Sequence, residues 1–241
     1  MTSVFFQVLC LLVFCSLLQA DWSTWRGPDN DGLSDSIKLP DSWSETENLD
    51  WKFSLPAAGS STPIVVKDKI FLTFELDNEV KAMAIGVDGR ELWTRVVCQT
   101  KGKGNGEKTF ASPTPSSDGK LLFVTTGTGE VVAFDLEGLE KWRFNAQERY
   151  GKFRFGFGFH STTVLHEGRL YLQLIHSAAQ LVVCIDGQSG KEVWKVERES
   201  DGVAECEHSY ASPTAYRKDD LNVLITHGND YCVGHDPVTG K

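Results

Sequence analysis

Four phenylalanines, Phe153, Phe155, Phe157 and Phe159, alternate with Lys152, Arg154, Gly156 and Gly158, and His160 follows them. At period two a strand places all four rings on one face, where they could stack on a sugar or another flat ligand. The same pattern also suits a core-facing strand of a repeated sheet, and that blander reading is favoured. Metal-capable side chains stand in two places, Cys206-Glu207-His208 and the run His227, Gly228, Asn229, Asp230. A metal needs three or four convergent ligands, and this spacing alone supplies no convergence, so solvated loops explain both. GKGNGEKT (102–109) resembles a phosphate loop, but Glu107 stands where the second glycine is required and Ser112-Pro113 follows where a helix should start. A carboxylate there repels phosphate, which rejects a nucleotide site. Asp29-Asn30-Asp31-Gly32 lacks the acidic first and twelfth positions of a calcium loop, which Gly27 and Lys38 fill, and reads as a turn. No G-x-S-x-G elbow occurs, and no Ser, His and Asp are paired by spacing; the six histidines are scattered.

The elements that must carry these residues are bounded by composition. The chain has 241 residues, a formal charge of −9, 41% hydrophobic and 24% charged residues, which is ordinary for a folded protein and too apolar for disorder. The acidic balance excludes a nucleic-acid surface; Lys101, Lys103 and Lys108 form the one basic cluster and read as a solvated loop. Residues 1–20, MTSVFFQVLCLLVFCSLLQA, carry no charge and fit a secretory signal peptide ending at Leu-Gln-Ala. The n-region lacks its usual Lys or Arg, so an uncleaved membrane anchor is the alternative, and contact with a membrane is expected only through this leader. Neither Cys10 nor Cys15 has the small preceding residues of a lipoprotein signal. Cleavage after Ala20 leaves Cys98, Cys184, Cys206 and Cys232, which permit three disulfide pairings or buried and unpaired thiols. Cys184 and Cys232 lie in apolar, strand-like runs.

A repeat dominates the remainder. Four segments open on a small-residue signal, Ser61-Thr62-Pro63, Ala111-Ser112-Pro113, His160-Ser161-Thr162 and Ala211-Ser212-Pro213, about fifty residues apart. A β-rich run follows each: KIFLTF (69–74), KLLFVTT (120–126), RLYLQLI (169–175) and LNVLITH (221–227). The turns before them carry Asp68, Asp118-Gly119, Glu167-Gly168 and Asp219-Asp220. A second strand comes next, then a turn, and in three repeats a tryptophan: Trp93, Trp142 and Trp194.

The closing stretch resembles the A-x-D-x-x-T-G-K-x-x-W signature of pyrroloquinoline-quinone (PQQ)-type propeller repeats. Cys184-x-Asp186-x-x-Ser189-Gly190-Lys191-x-x-Trp194 follows it with two substitutions, and Gly234-x-Asp236-x-x-Thr239-Gly240-Lys241 follows it to Lys241. Ala133, Asp135, Gly138 and Trp142 form a version one residue shorter; Ala84, Gly86, Gly89 and Trp93 form another, with Gly86 where Asp is expected. Asp and Thr or Ser beside Gly fix a turn through side-chain to backbone bonds, and the tryptophan then docks on a small residue of the neighbouring blade. DWSTWRGPDNDG (21–32) also resembles a leader that precedes this repeat in exported bacterial proteins of planctomycete type.

The resemblance implies an all-β chain, a β-propeller of four-stranded blades with Trp-docking repeats, about three full blades plus part of a fourth. The implied organisation is a signal peptide over 1–20, an N-terminal leader over 21–54 and a partial propeller over 55–241, either a piece of a seven- or eight-bladed ring or one that closes by assembly. The expected function is a non-catalytic, periplasmic or secreted scaffold that binds a protein or polymer of the cell envelope, without a cofactor. The alternative is a dehydrogenase of alcohols or sugars that uses PQQ with Ca²⁺. The repeat names that cofactor but marks the blade, and neither a Cys-Cys pair nor a matched acidic-amide set is found here.

Overall fold

The computed structural model describes residues 21–37, 39–101 and 109–241. The leader peptide, Lys38 and most of the glycine-rich stretch, including Lys103, Glu107 and Lys108, lie outside these. The described residues form a β-propeller array of four antiparallel sheets in chain order. Blade 1 holds β1 (Ile64–Val66), β2 (Lys69–Leu76), β3 (Glu79–Gly86) and β4 (Glu91–Gln99). Blade 2 holds β5 (Ser116–Ser117), β6 (Leu121–Thr125), β7 (Glu130–Asp135) and β8 (Glu140–Asn145), followed by the short helix α1 (Ala146–Tyr150). Blade 3 holds β9 (Val164–His166), β10 (Arg169–His176), β11 (Ala179–Asp186) and β12 (Glu192–Glu197). A 3₁₀ turn, Ala204–Glu207, leads to the three described strands of blade 4, β13 (Thr214–Lys218), β14 (Leu221–Gly228) and β15 (Tyr231–His235).

Each blade is a meander because its turns demand it. Asp77-Asn78 and Asn229-Asp230 take two successive left-handed conformations (φ 54 to 62°), the geometry of a two-residue turn whose twist matches the strands. The middle strands of blades 2 and 3 are largely buried on both faces because each of these sheets lies between two neighbours. β6 shows the division: Leu122 and Val124 pack towards blade 1 with Phe71, Val80 and Val97, whereas Leu121 and Phe123 pack towards blade 3 with Leu170, Leu172 and Ile185. Full burial of a side chain such as Leu122 stabilises by about 2 kcal/mol, and the pleat assigns alternate residues to alternate seams.

Two local expectations are corrected. Residues 152–160 are an irregular loop, not a strand; Gly156 and Gly158 interrupt the alternation, with Gly158 at φ 85°. Cys232 is exposed rather than buried, because β15 pairs only with β14 and has no described neighbour on its outer side. Cys98, half-buried, and Cys184, buried, are free thiols, and Cys206 is exposed.

Candidate functional site

The rim of the array is a set of four equivalent docks. Trp93 Nε1 donates to Leu136 O at 3.0 Å, Trp142 Nε1 to Gly187 O at 2.9 Å and Trp194 Nε1 to Pro237 O at 3.1 Å. Trp51, from the segment before blade 1, does the same to Val87 O at 2.8 Å. The rings lie over Gly138, Gly190, Gly240 and Gly89, where an added Cβ would fall 2.7–2.9 Å from ring carbons. These glycines also hold φ between 67 and 80°, so glycine is required twice over. The turn carboxylates are spent on the same structure: Asp135 Oδ1 accepts from Glu137 N and Leu139 N, Asp186 Oδ1 from Ser189 N, and Asp236 Oδ1 from Val238 N and Thr239 N.

At the inner edge, hydroxyls link successive blades. Thr62 N donates to Thr114 Oγ1 at 3.0 Å, Thr114 N to Thr162 Oγ1 at 3.0 Å, and Thr162 N to Ser212 Oγ at 2.9 Å. The small residues of the repeat openings are therefore a chain of bonds between blades. The segment from Asp21 to Asn30 lies along this inner edge: Trp22 and Val65 exchange backbone bonds of 2.8 and 3.0 Å, Ser117 N donates to Ser23 O, and Lys67 N donates to Asp21 Oδ1. Thr24 and Asn30 line one small pocket together with Thr162, Val164 and Pro213.

Aromatic side chains and a cavity collect on the opposite, loop-bearing end of the blades. Phe153, Phe155 and Phe159 form one cluster with centroids 4.9–5.5 Å apart. Tyr210, from the loop after blade 3, extends it through Phe155 at 6.1 Å and Phe157 at 5.9 Å. Phe159 is buried, Phe153 and Phe155 are half-buried, and Phe157 is 52% exposed. His160 Nε2 binds Phe157 O at 2.6 Å and so holds the loop rather than facing a ligand. Beside the cluster opens a cavity of about 570 Å³ lined by Phe110, Phe153, Phe155, Glu130, Gln147 and Lys152, among others. Its floor is rigid because Asn145 caps α1, accepting from Gln147 N and Glu148 N, while Gln147 Nε2 donates to Thr128 O and its Oε1 accepts from Phe153 N.

His176 lies under the cluster, 1% exposed, with its ring 4.8 Å from Phe155. Its Nδ1 accepts from Ala178 N at 3.2 Å, which leaves the proton on Nε2. Burial, then the neighbouring His208 and Arg154, depresses its pKa to about 4, so the ring is neutral near pH 7. Burial likewise raises the Tyr150 hydroxyl to about 12. Neither Tyr210 nor His176 is legible as a partner of the phenylalanine run, because each comes from a different chain segment. Trp51 had a signal: Trp51-Lys52-Phe53 parallels Trp142-Arg143-Phe144.

The remaining candidates do not assemble a reactive centre. Ser209 Oγ donates to His227 O at 2.6 Å and receives Gln173 Nε2, so it is tied into a blade junction. Among the described residues no three of His, Cys, Asp and Glu converge as metal ligands, Cys206, Glu207, His208 and Asp230 included. PQQ with Ca²⁺ would need acidic and amide side chains free at the inner edge. Among the described residues there, the repeat hydroxyls are bonded to backbone N–H groups, Asp21 Oδ1 accepts from Lys67 N, and Asn30 Oδ1 accepts from Thr24 Oγ1, so these groups are already engaged within the protein.

Comparison with known proteins places the array among others. A family model described as outer membrane protein assembly factor BamB matches residues 76–241. The crystal structure of BamB from Moraxella catarrhalis aligns over 80% of this chain and 49% of its own, at 15% identity and a TM-score of 0.51. The quinohemoprotein alcohol dehydrogenase of Comamonas testosteroni aligns over 92% of this chain and 40% of its own, at 14% identity and a TM-score of 0.64. A europium-containing methanol dehydrogenase aligns over 80% and 42%, at 14% identity and a TM-score of 0.57. The chain therefore spans less than half the length of each, and at these identities the likeness is one of fold. No curated protein sequence matches the chain. No helix among the described residues is long and apolar enough to cross a membrane.

Proposed function

We propose, because this chain belongs to the family described as outer membrane protein assembly factor BamB, that it is an exported, non-catalytic scaffold which holds an extended polypeptide of the cell envelope on its loop face. The observation that carries this reading is the aromatic tract Phe153, Phe155, Phe157 and Tyr210, which crosses from the loop of one blade to that of the next and stays partly open to solvent. Flat rings held by a rigid floor take apolar or aromatic side chains of a partner at low entropic cost, and the polar cavity beside them accepts the intervening backbone. The periplasm, or secretion beyond it, is the compartment this role and the leader peptide call for.

The test is a titration of the purified chain with labelled peptides of alternating aromatic sequence, read by fluorescence anisotropy, with β-linked oligosaccharides and PQQ plus Ca²⁺ run in parallel. Saturable peptide binding that weakens about tenfold in Tyr210→Ala supports the proposal. Binding of oligosaccharide alone replaces the polypeptide with a polymer, and saturable one-to-one uptake of PQQ with Ca²⁺ overturns the scaffold in favour of a dehydrogenase.

A further inference from the structure

The aromatic tract on the loop face ends differently at its two sides. On one side Tyr210, in the loop after blade 3, has the rings of Phe155, Phe157 and His208 about it, 5.9–6.4 Å away. On the other side the tract opens into the cavity of about 570 Å³, where Phe153 and Phe155 of the loop after blade 2 share the lining with Phe110 of the loop after blade 1. Cations collect at that cavity. Lys101 and Lys152, both exposed, line it from those same two loops.

Charge at this place runs against the rest of the chain, whose formal charge is −9. Elsewhere lysines are drawn onto carboxylates: Lys69 holds Glu137 at 3.3 Å, Lys81 holds Glu79 at 3.1 Å and Lys141 holds Asp135 at 2.8 Å. Among the described residues Lys101 and Lys152 make no such pair. Among the described residues of the lining the one carboxylate is Glu130, and its Oε1 accepts from Asn145 Nδ2 at 3.1 Å. Two cations therefore face the cavity against one carboxylate that is engaged by the wall. Gly127, Gly156 and Gly158 also line it, and with no side chain at these positions the backbone of a bound segment can approach closely.

We propose that the segment held on the loop face is acidic as well as aromatic. Its rings lie against Phe155, Phe157 and Tyr210, and the carboxylates next to them enter the cavity between Lys101 and Lys152. This inference rests on the polypeptide reading above and names the chemistry of its ligand. An ammonium group on a flexible stem is a point charge that needs no fixed geometry to meet a carboxylate, so the lysines select charge while the rings select shape. A basic segment would bring like charge onto both lysines beside a wall of aromatic rings. Such juxtaposition suppresses the wrong partner, and complementarity of this kind acts on choice and capture more than on raw affinity.

The test uses three peptides that share an aromatic half of alternating Phe and Ser and differ in a charged half, which carries Glu, Gln or Lys. Each is made in both orders. Anisotropy titrations of the full chain are expected to rank them Glu above Gln above Lys, with about fivefold between the first two, as two exposed ion pairs allow. At about 1 M salt, where screening sets in beyond about 3 Å, that gap should close while the aromatic part of the affinity remains. In Lys101→Gln combined with Lys152→Gln the Glu and Gln peptides should bind alike. Equal affinity of the wild type for all three, or a Glu preference that survives the double variant, overturns the inference and leaves the polypeptide reading standing. Failure of every peptide to bind overturns both.

Discussion

The docking rim and the loop face stand at opposite ends of the same sheets, and they are built on opposite rules. At the rim the four junctions are near copies, with indole bonds of 2.8–3.1 Å to the turn ahead and a glycine under each ring. At the loop face the junctions diverge: Asp77-Asn78 and Asn229-Asp230 share one left-handed turn, Gly127–Gly129 and Ser177-Ala178 make others, and among the described residues α1 appears in one interblade loop. Each blade must meet the next at the rim, so the geometry there is constrained by packing. Loops escape that constraint and are free to carry recognition.

The sharpest way to break the contrast is to remove one dock. Trp93 is 6% exposed and sits between Phe71 and Phe134 at 5.8 and 6.3 Å. Trp93→Ala leaves a cavity across the seam of blades 1 and 2 and is expected to cost about 3–5 kcal/mol. Equilibrium denaturation measures it. A loss under about 1 kcal/mol would mean that the docks decorate seams held by the strands alone.

The same contrast explains what could be read from residues and what could not. The rim was legible because a docked indole needs glycine, and the turn that offers the glycine needs an Asx or hydroxyl residue, so three residue types recur at fixed spacing. Trp51 escaped that reading since among the described residues no strand of its own blade precedes it, although Trp51-Lys52-Phe53 carries the local pattern. At the loop face, alternation of Phe153 to Phe159 imitates a strand, and the two interposed glycines were the contrary signal. The convergence of His176 and Tyr210 on that run has no sequence signature, because it depends on loops from neighbouring blades folding towards one another.

A smaller effect separates the buried base of the loop face from its surface. His176 has a folded pKa near 4 against an ordinary value of 6.5. The unfolded chain therefore takes up a proton below pH 6.5 that the folded chain refuses. The associated stability is full above pH 6.5 and declines as the pH falls towards 4, by about 3 kcal/mol at most. Denaturation curves between those values should show this slope in the wild type and lose it in His176→Gln. An unchanged slope in the variant would move the acid sensitivity to other groups, His235 first, whose pKa burial also lowers.

The inner edge offers a third grade of effect. Thr162 Oγ1 accepts from Thr114 N and is 8% exposed. Thr162→Ala strands a buried backbone donor and should cost about 1–3 kcal/mol, while Thr162→Ser restores most of it. Equal losses in both variants would assign the effect to the methyl group and to packing, leaving the hydroxyl chain without energetic weight.

The smallest change in stability is expected where the functional change is largest. Phe157 is 52% exposed, and its ring neighbour among the described residues is Tyr210 at 5.9 Å. Phe157→Ala removes little buried area and should alter stability by about 0.5 kcal/mol or less, in contrast to Trp93→Ala. If the loop face is a recognition surface, the same substitution removes the ring most available to a partner, and peptide affinity should fall about tenfold with melting unchanged. Rim substitutions that leave the chain folded should do the reverse, with a lower melting temperature and undiminished affinity. A Phe157→Ala variant that melts early and still binds would reverse the assignment, making the phenylalanine run a structural element and sending the search for the partner's surface to another part of the array.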